Sequence, residues 1–274
     1  MQKKSYYRAL TIAGSDSGGG AGIQADLKTF SALGCYGMSV ITALTAQNTV
    51  AVTGIYKVSP EFVAKQIDAV LEDIGIDAVK IGMLASPDII KAVANRLKAH
   101  DIQKIVLDPV MVAKSGDKLL HDEAIDALLT ELIPLATIIT PNIPEAQVLS
   151  GKKAASEQDV ERIAHALSKS GPQAVLVKGG HLEGKTSDDC LLLQDNAKVR
   201  IQWLREKRVN SPNTHGTGCT LSSAIAAHLA KGLSINDAVK AGKKYISEAI
   251  AAGADYKIGS GHGPVFFFFS IWPP

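Results

Sequence analysis

The chain has 274 residues, with 29 Lys and Arg against 27 Asp and Glu and a formal net charge of +2. Without a long basic run or an aromatic ladder it is not expected to bind nucleic acid, and without about 18 consecutive apolar residues it is not expected to span a membrane. A polar N-terminus and three widely spaced cysteines, Cys35, Cys190 and Cys219, argue against a secretory signal, a disulfide framework or a zinc site, so a cytoplasmic protein is expected.

Arg8–Ile12 is an apolar run short enough for a buried strand. The glycine-rich segment 13–26 follows it and opens a helix whose one face carries Ile23, Leu27, Phe30 and Leu33, with Gly34 as its stop. The stretch 36–58 is rich in Val, Thr and Ile and reads as two strands. Ser59-Pro60 starts a helix that runs to about Asp73, and Ser86-Pro87 starts another in the same way. Ala78–Ile81, Lys104–Leu107, Ala136–Thr140 and Ala174–Val177 are short buried strands. Capping boxes that use Asp in place of Glu begin at Ser156 and Ser234, and 189–208 reads as a hairpin-like pair. Strands alternating with helices imply an α/β fold, a mostly parallel sheet with helices on both faces, and ligands at the carboxyl ends of the strands. The length and the absence of a linker or repeat favour one domain over 1–274.

The most informative stretch is His215-Gly-Thr-Gly-Cys-Thr220, which leads into the Ala-rich helical run 221–229. Its glycines are expected just before the first helical turn, where amides lack intrahelical partners and the helix dipole favours anions. Gly216, Thr217, Gly218 and Cys219 therefore read as a cradle for developing negative charge. The glycines of 13–26 fit neither common nucleotide motif. None of them is directly followed by Lys-Ser or Lys-Thr, and the dinucleotide pattern would need glycine at Ile23.

Taken with Thr42–Asn48, Lys80–Leu84, Asp108–Met111, Thr140–Glu145 and Lys178–Gly180, these segments resemble the ribokinase-like superfamily. Within it they are most similar to the bacterial hydroxymethylpyrimidine and phosphomethylpyrimidine kinases of thiamine biosynthesis, over Leu10 to about Val265. The resemblance implies a three-layer α/β/α fold that uses ATP and Mg²⁺ to phosphorylate a pyrimidine alcohol and then its monophosphate, as a homodimer. It makes Gly216–Cys219 the anion hole, with Cys219 standing where most of the superfamily carries a basic Asp. A thiol near pKa ~8.5, lowered by the helix start, is expected to act as base or to position the hydroxyl.

Asp26 and Gln47 become the substrate-specifying candidates, since a Gln amide offers an aminopyrimidine a donor and an acceptor in one plane. Gly14 lets the ring approach, and Met83 and Val110 supply apolar contact. Asn142 and Glu145, with Asp108 nearby, match the pattern that organises Mg²⁺ through water; equally, Asn142 and Glu145 read as a helix cap. Lys178, and more weakly Lys243, are expected at the nucleotide phosphates. The run Phe266–Phe269 is expected to dock onto the body or onto a dimer partner. A pyridoxal kinase on the same scaffold is the nearest alternative. A non-catalytic pyrimidine-binding protein and a nicotinamide dehydrogenase are more distant ones.

Overall fold

The computed structural model describes residues 5–111, 122–180, 184–195 and 198–272. Its strands are β1 (Arg8–Asp16), β2 (Tyr36–Gln47), β3 (Val52–Lys57), β4 (Ala78–Ile81), β5 (Ile105–Leu107), β6 (Ile138–Ile139), β7 (Ala174–Val177), β8 (Asp189–Asp195) and β9 (Lys198–Leu204). They form one nine-stranded sheet in the order β3-β2-β1-β4-β5-β6-β7-β8-β9. The six from β2 to β7 in that order are mutually parallel; β3 runs antiparallel to β2 at one edge, and at the other β8 runs antiparallel to β7 and to β9. The expected sheet is therefore present, and the two non-helical stretches are the antiparallel hairpins at its edges.

The helices are α1 (Gly22–Ala32), α2 (Pro60–Asp73), α3 (Pro87–Ala99), α4 (Asp122–Ala127), α5 (Ile143–Ser150), α6 (Glu157–Ser168), α7 (Thr217–Ala230) and α8 (Ile235–Ala252). Period-2 side chains divide the interior. Val79 and Ile81 of β4 join the core under α2 to α6, whereas Ala78 joins the one under α1, α7 and α8. The second core is rich in alanine, including Ala9, Ala226 and Ala227, so the largely buried helix α7 lies close against the sheet. Ser59 and Ser86 cap α2 and α3 as expected, their hydroxyls accepting from the amides of Phe62 and Ile89.

Local differences have local causes. β1 runs past Ile12 to Asp16, with a register shift between Ala13 and Ser15, so Gly14 is a strand residue rather than part of the turn. β6 keeps only Ile138–Ile139, since Pro141 has no amide to extend the ladder. The C-terminal run docks onto the body: Val265 and Phe267 are buried in the core of α1, α7 and α8, and the Tyr245 hydroxyl donates to the Phe267 carbonyl at 2.6 Å.

Candidate active site

The parallel strands end along one edge of the sheet. Gln47 ends β2, and Met83, Asp108, Asn142 and Lys178 follow β4, β5, β6 and β7 within a few residues. Topology alone thus brings together side chains from across the sequence.

One half of the candidate site centres on the start of α7. Gly216 is the N-cap in the left-handed region (φ 76°), and Gly218 lies inside the first turn instead of before it. The Thr217 amide turns back to the Thr214 carbonyl at 3.4 Å and the Thr220 amide takes the Gly216 carbonyl at 2.8 Å. Among the described residues, the Gly216, Gly218 and Cys219 amides have no intrachain acceptor, so Thr217 alone of the four expected amides is turned away from the cradle. A Cβ on Gly218 would stand 3.3 Å from Lys178 Nζ and 3.6 Å from Asp108 Oδ2, so glycine here lets a lysine and a carboxylate close on the helix end.

Lys178 Nζ donates to Asp108 Oδ1 at 2.7 Å, and the Thr140 and Ser222 hydroxyls add contacts to the same carboxylate at 3.2 and 3.3 Å. Burial works against ionising Asp108, but Lys178 and Lys80 outweigh it and hold the carboxyl below its usual range. Burial likewise opposes the charge on Lys178, and Asp108 and Glu145 overcome it, raising the ammonium's pKa.

Asn142 and Glu145 form a true capping box on α5. The Asn142 side chain accepts from the Glu145 amide at 2.9 Å, and Glu145 Oε2 accepts from the Asn142 amide at 2.7 Å. Burial pushes the Glu145 carboxyl up to about 7, with Asp108 pushing the same way against Lys178. Two carboxylates therefore repel each other across a single lysine, which is where a hard dication beside nucleotide phosphates lowers the energy. Among the described residues no group of three or more His, Cys, Asp and Glu is arranged to hold a metal unaided. The donor set thus fits a Mg²⁺ held largely by phosphates and water, with Asp108, Asn142 and Glu145 beneath it.

The other half of the candidate site is built around the first glycine segment. A Cβ on Gly14 would touch Met83 Sδ at 3.3 Å, bringing those two predicted residues together. Gln47 is half-buried beside Thr45 and His215. Val110 is half-buried just past Asp108, its amide on the Asp108 carbonyl at 2.8 Å. The two glycine turns touch backbone to backbone: a Cβ on Gly216 would stand 1.9 Å from the Gly20 carbonyl oxygen.

Three expectations are corrected. Asp26 presents no free acceptor to solvent. It is fully buried, with Lys80 Nζ at 2.9 and 2.8 Å and the Thr11 and Ser223 hydroxyls at 2.6 Å each, which fills its acceptor sites. Lys243 does not reach outward either. Its ammonium donates to Asp189 Oδ2 at 2.7 Å and to the Ser187 carbonyl at 2.8 Å, while Asp189 Oδ1 holds the Gly179 amide at 2.9 Å. It braces the turn after Lys178. At Cys219 the expected lowering is reversed: burial pushes its thiol up to about 11, Asp26 and Asp108 pushing the same way against Lys80 and a bond from the Gly22 amide. The two nearby carboxylates and desolvation defeat the helix start.

Sequence reasoning gave no role to Asp16, His215 or Lys80. Asp16 gathers the amides of Gly18, Gly20 and Ala21 and faces His215 Nε2 at 2.9 Å. Burial opposes its ionisation, but His215 and those amides outweigh it and hold the carboxyl below the usual range. An Asp before a glycine run was its signal, and a lysine inside an otherwise apolar four-residue strand was the signal for Lys80.

Unpartnered amides at a helix start, a lysine–carboxylate pair beside them and polar side chains at the carboxyl ends of parallel strands are the parts that a small-molecule kinase of the ribokinase-like class assembles. Comparison with known proteins narrows the class. The model of the family described as phosphomethylpyrimidine kinase matches residues 16–266, and the chain belongs to that family. It is 52% identical over 265 residues to the hydroxymethylpyrimidine/phosphomethylpyrimidine kinase of Rhizobium meliloti, covering 96% of this chain and 98% of that one. The crystal structure of phosphomethylpyrimidine kinase from Clostridium difficile superposes with a TM-score of 0.77 at 49% identity, over 89% of this chain and 99% of that one. An ADP complex of Bacillus subtilis pyridoxal kinase superposes with a TM-score of 0.87 at 37% identity, over 95% and 97% of the two chains.

Proposed function

We infer that this chain phosphorylates 4-amino-5-hydroxymethyl-2-methylpyrimidine and then its monophosphate, using ATP, in thiamine biosynthesis. The observation that carries the reading is near-full-length identity of about half to a relative named for both activities, on a chain that keeps an anion cradle at α7. Lys178 and the Gly218 and Cys219 amides stabilise the charge on the transferring phosphoryl group. Asp108, Asn142 and Glu145 would hold a Mg²⁺ largely through water, and the ion would supply positive charge to offset that of the phosphates. Because the loose transition state of phosphoryl transfer leaves little covalent work to the protein, a protonated Cys219 is compatible with catalysis. Its role is to orient the hydroxyl, with Gln47, Gly14, Met83 and Val110 holding the ring.

A homodimer acting in the cytoplasm belongs to the same reading; equilibrium sedimentation at twice the chain mass supports the dimer, and a monomer removes it. The close superposition on a pyridoxal kinase favours one second reading, turnover of vitamin B6. Steady-state ADP release with each acceptor offered separately decides. Pyrimidine-dependent release supports the main reading, and release with pyridoxal alone defeats it.

A further inference from the structure

Hydrogen counting around Gln47 shows what sets its amide. Asp16 Oδ2 accepts from the Gly20 and Ala21 amides at 3.1 and 2.8 Å and lies 2.9 Å from His215 Nε2. A carboxylate held ionised only accepts, so His215 Nε2 carries the hydrogen and donates it. On the far side of Gln47, Thr45 Oγ1 lies 2.9 Å from the Ser15 carbonyl. That carbonyl also only accepts, so the single hydroxyl hydrogen of Thr45 goes there and a lone pair is left facing Gln47. Gln47 Oε1 stands 3.1 Å from Thr45 Oγ1, and Gln47 Nε2 stands 3.4 Å from His215 Nε2. Placed so, an oxygen meets a lone pair and an N–H meets an N–H. A half-turn of the amide removes both conflicts: its NH₂ then donates to Thr45 and its carbonyl accepts from His215, which shares its hydrogen with Asp16.

We propose that His215, held by Asp16, is a positioning residue that fixes the direction of the Gln47 amide and through it the choice of acceptor ring. The proposal rests on the reading that Gln47 meets the substrate. A fixed amide shows the ligand one N–H and one carbonyl lone pair in a set order. An aminopyrimidine matches that order with a ring nitrogen beside an amine. Pyridoxal carries an accepting aldehyde beside its hydroxymethyl group, where the pyrimidine has a donating amine, and it matches the opposite order. Removing the imidazole frees the amide to turn. The competing role for His215 is packing, since a Cβ on Gly20 would lie 2.4 Å from its ring.

The test is a double-mutant cycle on the full chain, measuring kcat and KM for hydroxymethylpyrimidine and pyridoxal in wild type, His215→Ala, Gln47→Ala and the double variant. Where pyridoxal is not turned over, its inhibition constant against the pyrimidine replaces its kcat/KM. His215→Ala is expected to lower the pyrimidine-to-pyridoxal preference about tenfold, within the range of coupled neighbours, mainly through the pyrimidine KM, and to add nothing in the Gln47→Ala background. His215→Gln, which keeps an N–H, restores the preference. Equal losses on both substrates dominated by kcat, or the same factor in both backgrounds, reduce His215 to packing and overturn the proposal. A wild-type chain inert toward hydroxymethylpyrimidine defeats the kinase reading and the proposal with it. An active wild type with an additive cycle defeats the proposal alone.

Discussion

Gly216→Ala tests whether contact between the two glycine turns sets the cradle. The new Cβ would lie 1.9 Å from the Gly20 carbonyl oxygen and 3.4 Å from Ala21 Cα, at a φ of 76°. The left-handed backbone alone costs a non-glycine residue ~1 kcal/mol. The clash adds more, because the obstacle is backbone and cannot rotate away: the turns must separate by roughly 1 Å, and a displacement of that size costs ~10²-fold in rate. Gly34 is the matched control, also left-handed (φ 70°) but with nothing within 4 Å of an added Cβ. Initial rates of ADP release at saturating pyrimidine, beside thermal melts, separate the two effects. Both variants lose melting temperature, by about 2–4 °C per kcal/mol. Only Gly216→Ala loses the two orders of magnitude in kcat. If it stays within about threefold of wild type, less than 1 kcal/mol of barrier, the contact does not position the cradle.

Three more outcomes follow from the buried charges. With the Cys219 thiol pushed up to about 11, iodoacetamide labelling at pH 7 is slow, and Cys219→Ser keeps kcat within about tenfold, below the loss typical of a general base. Fast labelling at pH 7, or a rate limb that vanishes in the Ser variant, refutes a protonated thiol. Glu145 has its folded pKa raised to about 7, so the stability tied to its proton is complete below the unfolded value near 4.5 and is lost as pH rises through 7. Glu145→Gln should flatten melting temperature between pH 5 and 8 and raise the Mg²⁺ needed for half-maximal rate about tenfold; an unchanged Mg²⁺ requirement removes Glu145 from the metal site. Lys80→Met leaves the Asp26 carboxylate buried without its cation and should cost ~3–5 kcal/mol, and adding Asp26→Asn should recover part of it. A single variant that melts like wild type contradicts a structural role for that pair.

Elements governed by neighbouring residues were legible in the sequence. The bounds of α2, β4 and β7 follow from Ser-Pro caps and short β-branched runs, whose causes lie within a few positions. The gathering of the candidate residues Gln47, Met83, Asp108, Asn142 and Lys178 at the carboxyl ends of the strands was legible because strand alternation dictates it. Asp26 and Lys243 were misread because each is satisfied by a residue 54 positions away, Lys80 and Asp189, and no local pattern announces such a pair. Asp16 and His215 lie 199 positions apart, and only folding brings them into one network around Gln47. For Cys219 the charge balance opposes the base role and leaves the positioning role. A helix start lowers a thiol pKa, yet desolvation and two carboxylates drawn from other elements raise it further.

The central claim is sequential phosphorylation of a pyrimidine at the strand ends. A phosphorus NMR time course with Mg-ATP and hydroxymethylpyrimidine tests it most directly. The account predicts a pyrimidine phosphomonoester that appears first and gives way to the diphosphate, each rise matched by ADP. A spectrum in which the pyrimidine stays unphosphorylated while pyridoxal under the same conditions yields its monoester would contradict it.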